Sequence, residues 1–204
     1  MSAVGLLYVG AVLFLNGLML LGRIDGKSAG VFNLFIGAMQ VITPFYMIFT
    51  SGGDAWTIFQ ASGIFLFGLT YLYVGITNLL GLDASGVGWY SLWVAILAVG
   101  YAAINFLHFH DEKFGIIWLM WSFLWTLFFI LLALKRNIGT FVGWVTLIQA
   151  WVTATIPAFL ILIGEWERIG AGVTEAAAGL VVVAYGAAYA LTRRKAPRGG
   201  EVSS

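Results

Sequence analysis

Three tryptophans in the run IIWLMWSFLWTLFF, Trp118, Trp121 and Trp125, fall at i, i+3 and i+7. That spacing stands three indoles on one face of a helix, with Leu124 beside them. In the next apolar stretch Thr146, Gln149 and Thr153 repeat the spacing and make a polar stripe. If the two faces meet, they enclose a narrow passage with flat aromatic walls and a few neutral hydrogen-bonding groups. Such a passage suits a small, planar, uncharged solute such as an amide, and offers ions nothing in exchange for their hydration. The plainer reading is that aromatic stripes pack or form interfacial belts, and that Thr and Gln bind helices together. Trp121 and Trp125 lie near the middle of their stretch, away from the ends where a belt would sit, which favours the passage.

The remaining candidates carry less chemistry. His108 and His110 flank Phe109 in HFHDEK, placed to sense pH or, with Asp111 and Glu112, to touch a metal. Positions i and i+2 do not share a helical face and no third firm ligand is near, so neither a metal nor a cofactor is expected. The first six apolar stretches hold no Asp, Glu, Lys or Arg, the groups that proton relays, ion pathways and voltage sensors use. No carboxylate pair or Ser/His/Asp set can be assembled among them, so no catalytic residues and no enzyme are expected. The chain has no cysteine, hence no disulfide or thiolate site, and nothing in its charge pattern points to a nucleic-acid partner.

The elements that must position these residues are helices in a lipid bilayer. Of 204 residues 61% are hydrophobic and 9% charged, and the mean hydropathy is +0.97; a water-soluble domain needs a more charged surface. Seven stretches are long enough to span the membrane: 4–21, 30–50, 57–80, 88–106, 114–134, 140–163 and 171–191. Short connections hold the charges and turn residues. Gly10, Gly17, Gly68 and Gly75 are spaced for close helix packing. Basic residues accumulate on cytoplasmic loops. With the N-terminus outside, Arg23, Lys27, Lys135, Arg136, Arg193, Arg194, Lys195 and Arg198 lie inside, and only Lys113 and Arg168 lie outside. The C-terminal residues 193–204 then form a cytoplasmic tail, expected to be disordered.

The ordered series GLLYVGAVLFLNG, RIDGKS followed by NLFIG, FGLTYLY, GLD, WYSLWVAI, IIWLMWSFLW and a sixth stretch ending IPAF resembles the AmiS/UreI family of bacterial urea channels and amide transporters over about residues 4–165. The resemblance implies an all-α integral membrane protein of the bacterial inner membrane. It would have a six-helix core over 1–165, with a solute path in each protomer of a homohexamer. A seventh transmembrane helix over 166–192 would be an addition. Position by position, the resemblance implies constriction roles for Leu13, Leu69, Tyr73, Trp121, Leu124 and Trp125, and places Trp118 on the outer approach.

Gln149 stands where the acid-activated members have a glutamate, and Leu69 where they have a phenylalanine, which implies passage of short aliphatic amides as well as urea. Those members also carry a long histidine-bearing first outer loop, replaced here by SGGDAW. Acid gating is therefore not expected, and His108 and His110 are the remaining candidates for pH sensing. The expectation is a passive channel for urea or short-chain amides, supplying a cytoplasmic urease or amidase. The alternatives are a proton-coupled amide importer and a non-transporting structural membrane protein.

Overall fold

The computed structural model describes residues 3–194, and all the regular structure among them is helical. Seven helices are long and apolar enough to cross a membrane: α1 (Ala3–Leu20), α2 (Gly26–Thr50), α3 (Ala55–Leu80), α4 (Ser85–Leu107), α5 (Glu112–Leu132), α6 (Gly139–Leu162) and α7 (Ala171–Arg194). The seven expected stretches are recovered. Of the expected tail, residues 193 and 194 complete α7 and residues 195–204 lie outside the described residues.

Several helices begin earlier than hydropathy alone indicates, because polar loop residues cap them. The Asp25 carboxylate accepts from the backbone N–H of Lys27 (2.8 Å) and Ser28 (3.2 Å), so α2 starts at Gly26. Asp54 does the same for α3 through Thr57 N–H (2.7 Å), and Asp111 for α5 through Phe114 N–H (3.0 Å). Each satisfies amides that a helix start leaves without intrahelical partners. Gly81, at φ 67°, ends α3 in the left-handed conformation that glycine adopts without steric cost.

Lipid supplies no hydrophobic force between apolar helices, so close packing must come from small residues that let backbones approach. The most intimate pairs are α2 with α3, α4 with α5 and α1 with α6. A Cβ on Gly37 would lie 2.7 Å from the backbone nitrogen of Leu72, and one on Gly68 would lie 2.9 Å from the Gln40 carbonyl. One on Gly88 would overlap the backbone nitrogen of Ala133. Gly10 and Gly17 of α1 meet α6 in the same way, at Thr155 and Leu147.

Helix α6 is interrupted by a π-helical turn over Ala150–Thr155, in which Ile156 N–H bonds the Trp151 carbonyl five residues back. Pro157 follows immediately. In a regular α-helix its ring would press on the carbonyl of Thr153 and leave that carbonyl without a donor; the wide turn absorbs the conflict. The Thr155 hydroxyl closes the turn by donating to the Ala150 carbonyl (2.8 Å).

Helix α7 lies against the outer side of α5 and α6. Tyr185 stacks on Phe123 (5.5 Å) and Tyr189 meets Phe141 edge-on (5.4 Å). Leu180, Val182 and Val183 remain exposed, as befits a helix at the rim of a bundle in lipid. The α6–α7 connection is tied to the start of α5, where Lys113 donates to the Trp166 carbonyl (3.0 Å) and lies over the Trp166 ring (4.9 Å).

Candidate solute pathway

Two cavities enter the bundle from opposite ends. The inner one, on the side of the α3–α4 connection, has a volume of about 90 Å³. Its walls include Leu13 and Asn16 of α1, Phe67, Thr70, Tyr71 and Thr77 of α3, Ser91 of α4, and Trp121, Leu124 and Trp125 of α5. That is room for several waters, and so for a solute of a handful of heavy atoms. The outer one, on the side of the α4–α5 connection, has a volume of about 270 Å³ and is lined by Gln60, Tyr101, Asn105, Asp111, Trp118 and Trp121 among others. The names inner and outer follow the orientation expected from the loop charges. Trp121 is the one residue common to both walls.

Between the cavities the aromatic side chains close ranks. Trp121, only 1% exposed, meets the Phe67 ring edge-to-face at 4.7 Å and the Trp118 ring at 5.0 Å. Phe67 also contacts Trp125 at 4.8 Å, and Tyr101 stacks on Trp118 at 4.4 Å. These are the offset and T-shaped arrangements that aromatic quadrupoles favour. Spacing on α5 has distributed the indoles along the axis: Trp118 faces the outer cavity, Trp125 the inner one, and Trp121 separates them.

The polar stripe of α6 stands behind this barrier rather than in front of it. Thr146, Gln149 and Thr153 are fully buried and line neither cavity. Trp121 Nε1 donates to the Thr153 hydroxyl (2.9 Å), which donates in turn to the Gln149 backbone carbonyl (2.7 Å). Gln149 Nε2 donates to the carbonyl of Met120 (2.7 Å), and the Thr146 hydroxyl is spent on the Val142 carbonyl. The faces of α5 and α6 do meet, as their shared spacing suggests, but what they enclose is the mounting of an indole.

Two expected constriction residues are placed elsewhere. Leu69 and Tyr73 are 47% and 39% exposed and line neither cavity; the inward positions of α3 are Phe67 and Tyr71, both buried. Two residues along a helix turn the side chain by about 200°, so the expected pair is carried to the opposite face. The α3 phenylalanine whose absence at position 69 suggested a wider path is present at position 67.

Neither His108 nor His110 lines the outer cavity. His108 stacks on Trp56 with ring centroids 3.7 Å apart, and His110 takes a positive φ of 51° in the turn before α5. Their neighbours Phe109 and Asp111 reach the cavity wall. Among the described residues no group of three His, Cys, Asp or Glu side chains is gathered for a metal.

Spacing rules also passed over residues that matter to the cavities. Asn16 and Asn33 form a reciprocal amide pair between α1 and α2, at 3.0 and 2.6 Å, and Asn16 borders the inner cavity. The hydroxyls of Tyr71 and Thr77 are buried on the inner cavity wall with no hydrogen-bond partner. An unpaired donor in a dry setting is costly unless something else satisfies it. The signal in the sequence was the presence of asparagine, threonine and tyrosine inside spans that otherwise hold apolar residues. Among the described residues no carboxylate, ammonium, guanidinium or imidazole is on the inner wall, and Asp111 is the only such group on the outer one.

The chain is similar to known membrane transporters and channels. The pattern of the AmiS/UreI family transporter matches residues 1–165, ending before α7. A putative transporter protein, AmiS2, of Rhodococcus erythropolis is 49% identical over 197 residues, covering 96% of this chain and 95% of that protein. A putative amidate substrates transporter protein of Mycolicibacterium smegmatis is 51% identical over 168 residues, or 82% of this chain and 79% of that one. The cryo-electron microscopy structure of the Helicobacter pylori urea channel in its closed state superposes with a TM-score of 0.75 at 35% identity, covering 81% of this chain and 100% of that chain.

Proposed function

Because the chain belongs to the AmiS/UreI family of transporters, we propose that it is a passive channel for small neutral amides, urea or short-chain aliphatic amides such as acetamide, with Trp121 as the barrier on the route. The family is one of membrane transporters, not of enzymes. The observation that carries the proposal is the sharing of Trp121 by two cavities that open toward opposite ends of a membrane-spanning bundle.

The chemistry of the walls selects the solute. A planar amide slides between aromatic faces and trades its hydration for the Tyr71 and Thr77 hydroxyls, which have no other partner. An ion passing the same walls meets no opposite charge on the inner side and loses its hydration without compensation. Among the described residues no carboxylate, amine or imidazole lines the inner wall, which likewise favours passive passage over proton coupling. We propose the orientation with the N-terminus outside, placement in the bacterial inner membrane, assembly as a homohexamer and delivery of solute to a cytoplasmic urease or amidase. Acid gating is no part of the proposal, since neither His108, stacked on Trp56, nor His110 lines either cavity.

The test is stopped-flow uptake of urea and acetamide by liposomes containing the purified protein. Uptake well above that of empty liposomes, without a solute gradient being built up, supports the channel; accumulation against a gradient would establish a coupled importer instead.

A further inference from the structure

The outer cavity has an aromatic wall built as a pile of rings. Phe59 of α3 stacks on Tyr101 of α4 at 4.6 Å, Tyr101 stacks on Trp118 of α5 at 4.4 Å, and Trp118 meets Trp121 edge-on at 5.0 Å. All four rings line the cavity, so the pile runs along its wall as far as the barrier. Tyr101 is the member that joins the ring from α3 to those from α5, and two neighbouring residues of α3 fix where it stands. The hydroxyls of Ser62 and Tyr101 are hydrogen-bonded to each other. Ser62 spends its single proton on the Phe59 carbonyl of its own helix (2.7 Å), so the phenol is the donor and Ser62 Oγ the acceptor. Next to Ser62, Gly63 presents bare backbone. A Cβ there would lie 3.1 Å from Tyr101 Cε1 and 3.1 Å from Trp118 Cζ2, so the two rings occupy the space that a side chain would need.

We propose that Tyr101 is a specificity-determining residue of the outer cavity: tethered by Ser62 and seated with Trp118 against Gly63, its ring sets the width left for an amide on its way to Trp121. The ring is stacked on both faces and bonded at its hydroxyl. Tilting it to admit a bulkier chain therefore breaks two aromatic contacts and a hydrogen bond. Tyr101 thus screens by size before the solute reaches the barrier, passing flat urea and penalising each added methylene. The inference deepens the amide-channel reading and rests on it.

The experiment measures the ratio of propionamide to urea flux into liposomes containing the full chain as wild type, Tyr101→Leu, Tyr101→Phe or Gly63→Ala. In a close-fitting apolar site one methylene is worth roughly tenfold in discrimination. The expected result is a severalfold rise of the ratio in Tyr101→Leu, which removes the ring, and a severalfold fall in Gly63→Ala, whose Cβ displaces both rings into the cavity. Tyr101→Phe keeps the stack and loses the tether, and its ratio should rise less than that of Tyr101→Leu. Partial loss of folded protein lowers both fluxes in proportion, so the ratio reads the cavity, and the two Tyr101 variants decide the matter should Gly63→Ala not fold. A ratio equal to wild type in Tyr101→Leu and Tyr101→Phe, or shifts of the same sign in Tyr101→Leu and Gly63→Ala, would overturn the proposal. Rapid urea entry through the wild type with such an unmoved ratio overturns this inference alone, whereas wild-type liposomes no more permeable to urea than empty ones overturn the channel reading beneath it.

Discussion

The indole nitrogen of Trp121 donates a 2.9 Å hydrogen bond to the hydroxyl of Thr153, across the interface between α5 and α6. This bond assigns the polar stripe of α6 to the barrier instead of to the solute. It also gives the π-helical turn a purpose, since Thr153 lies within Ala150–Thr155 and the widened turn is what α6 presents there. Irregular helical turns of this kind are frequent at functional sites.

Replacing Thr153 with Val leaves the indole N–H without a partner in a dry setting, at a cost of about 1–3 kcal/mol. The thermal midpoint should fall and the acetamide-to-urea flux ratio should change, whereas Thr153→Ser should retain both values near wild type. Equal behaviour of Val and Ser would detach the hydroxyl from the barrier.

On α3, Leu69→Phe changes a partly exposed side chain that lines neither cavity. Flux of either solute should stay within about twofold of wild type, in keeping with surface substitutions of ~0.5 kcal/mol. Phe67→Leu removes the ring that meets Trp121 edge-on, and should raise acetamide flux relative to urea. Parallel flux measurements on the two variants separate the faces of the helix.

Close packing gives a stability contrast between two glycines of α4. A Cβ at Gly88 overlaps the backbone of Ala133, which cannot step aside, while one at Gly100 meets nothing within 4 Å. Gly88→Ala should lower stability by about 1–3 kcal/mol, the usual cost of overpacking, and Gly100→Ala should be neutral or slightly stabilising. Thermal unfolding in detergent reads both.

The pH response divides into two ranges. Among the described residues no carboxylate or imidazole is on the inner wall, so urea flux should be flat between neutral and mildly acidic pH, and His108→Ala should leave it so. Two loop carboxylates behave differently. The hydrogen bond from Thr57 holds Asp54 below its ordinary value of 3.8, and hydrogen bonds from Ser85 and Lys135 hold Asp83 well below it. A carboxyl whose folded pKa is depressed stabilises the fold above its unfolded pKa, and that contribution fades as pH falls through the folded value. The thermal midpoint should therefore hold steady above the ordinary carboxylate range and decline below about 4. A steep rise of flux on mild acidification would contradict the first half of this expectation.

Much of this protein is written plainly in its sequence, because lipid demands uninterrupted apolar helices. The seven spans stand out between polar loops, and the three indoles of α5 sit on one face by spacing alone. What resisted reading was rotation. Helix α3 carries large apolar side chains on every side, so nothing in its pattern distinguishes Phe67 and Tyr71 from Leu69 and Tyr73; in lipid, exposed and buried faces are equally apolar. The direction of the α6 stripe was hidden for a related reason. A hydroxyl in a helix can bond its own backbone four residues back, as Thr146 and Thr153 do, so polar spacing need not mean a polar surface. The pairing of Asn16 with Asn33 joins two helices and leaves no trace in either one's periodicity.

The central claim is that neutral amides cross this protein past Trp121. Stopped-flow light scattering of liposomes containing wild-type protein or Trp121→Ala, challenged with urea and with acetamide, tests it most directly. The account predicts rapid, non-saturating urea entry through the wild type, and in the variant a severalfold gain in acetamide flux relative to urea as the two cavities merge. Wild-type permeability no greater than that of empty liposomes, or a flux ratio indifferent to Trp121, would contradict it.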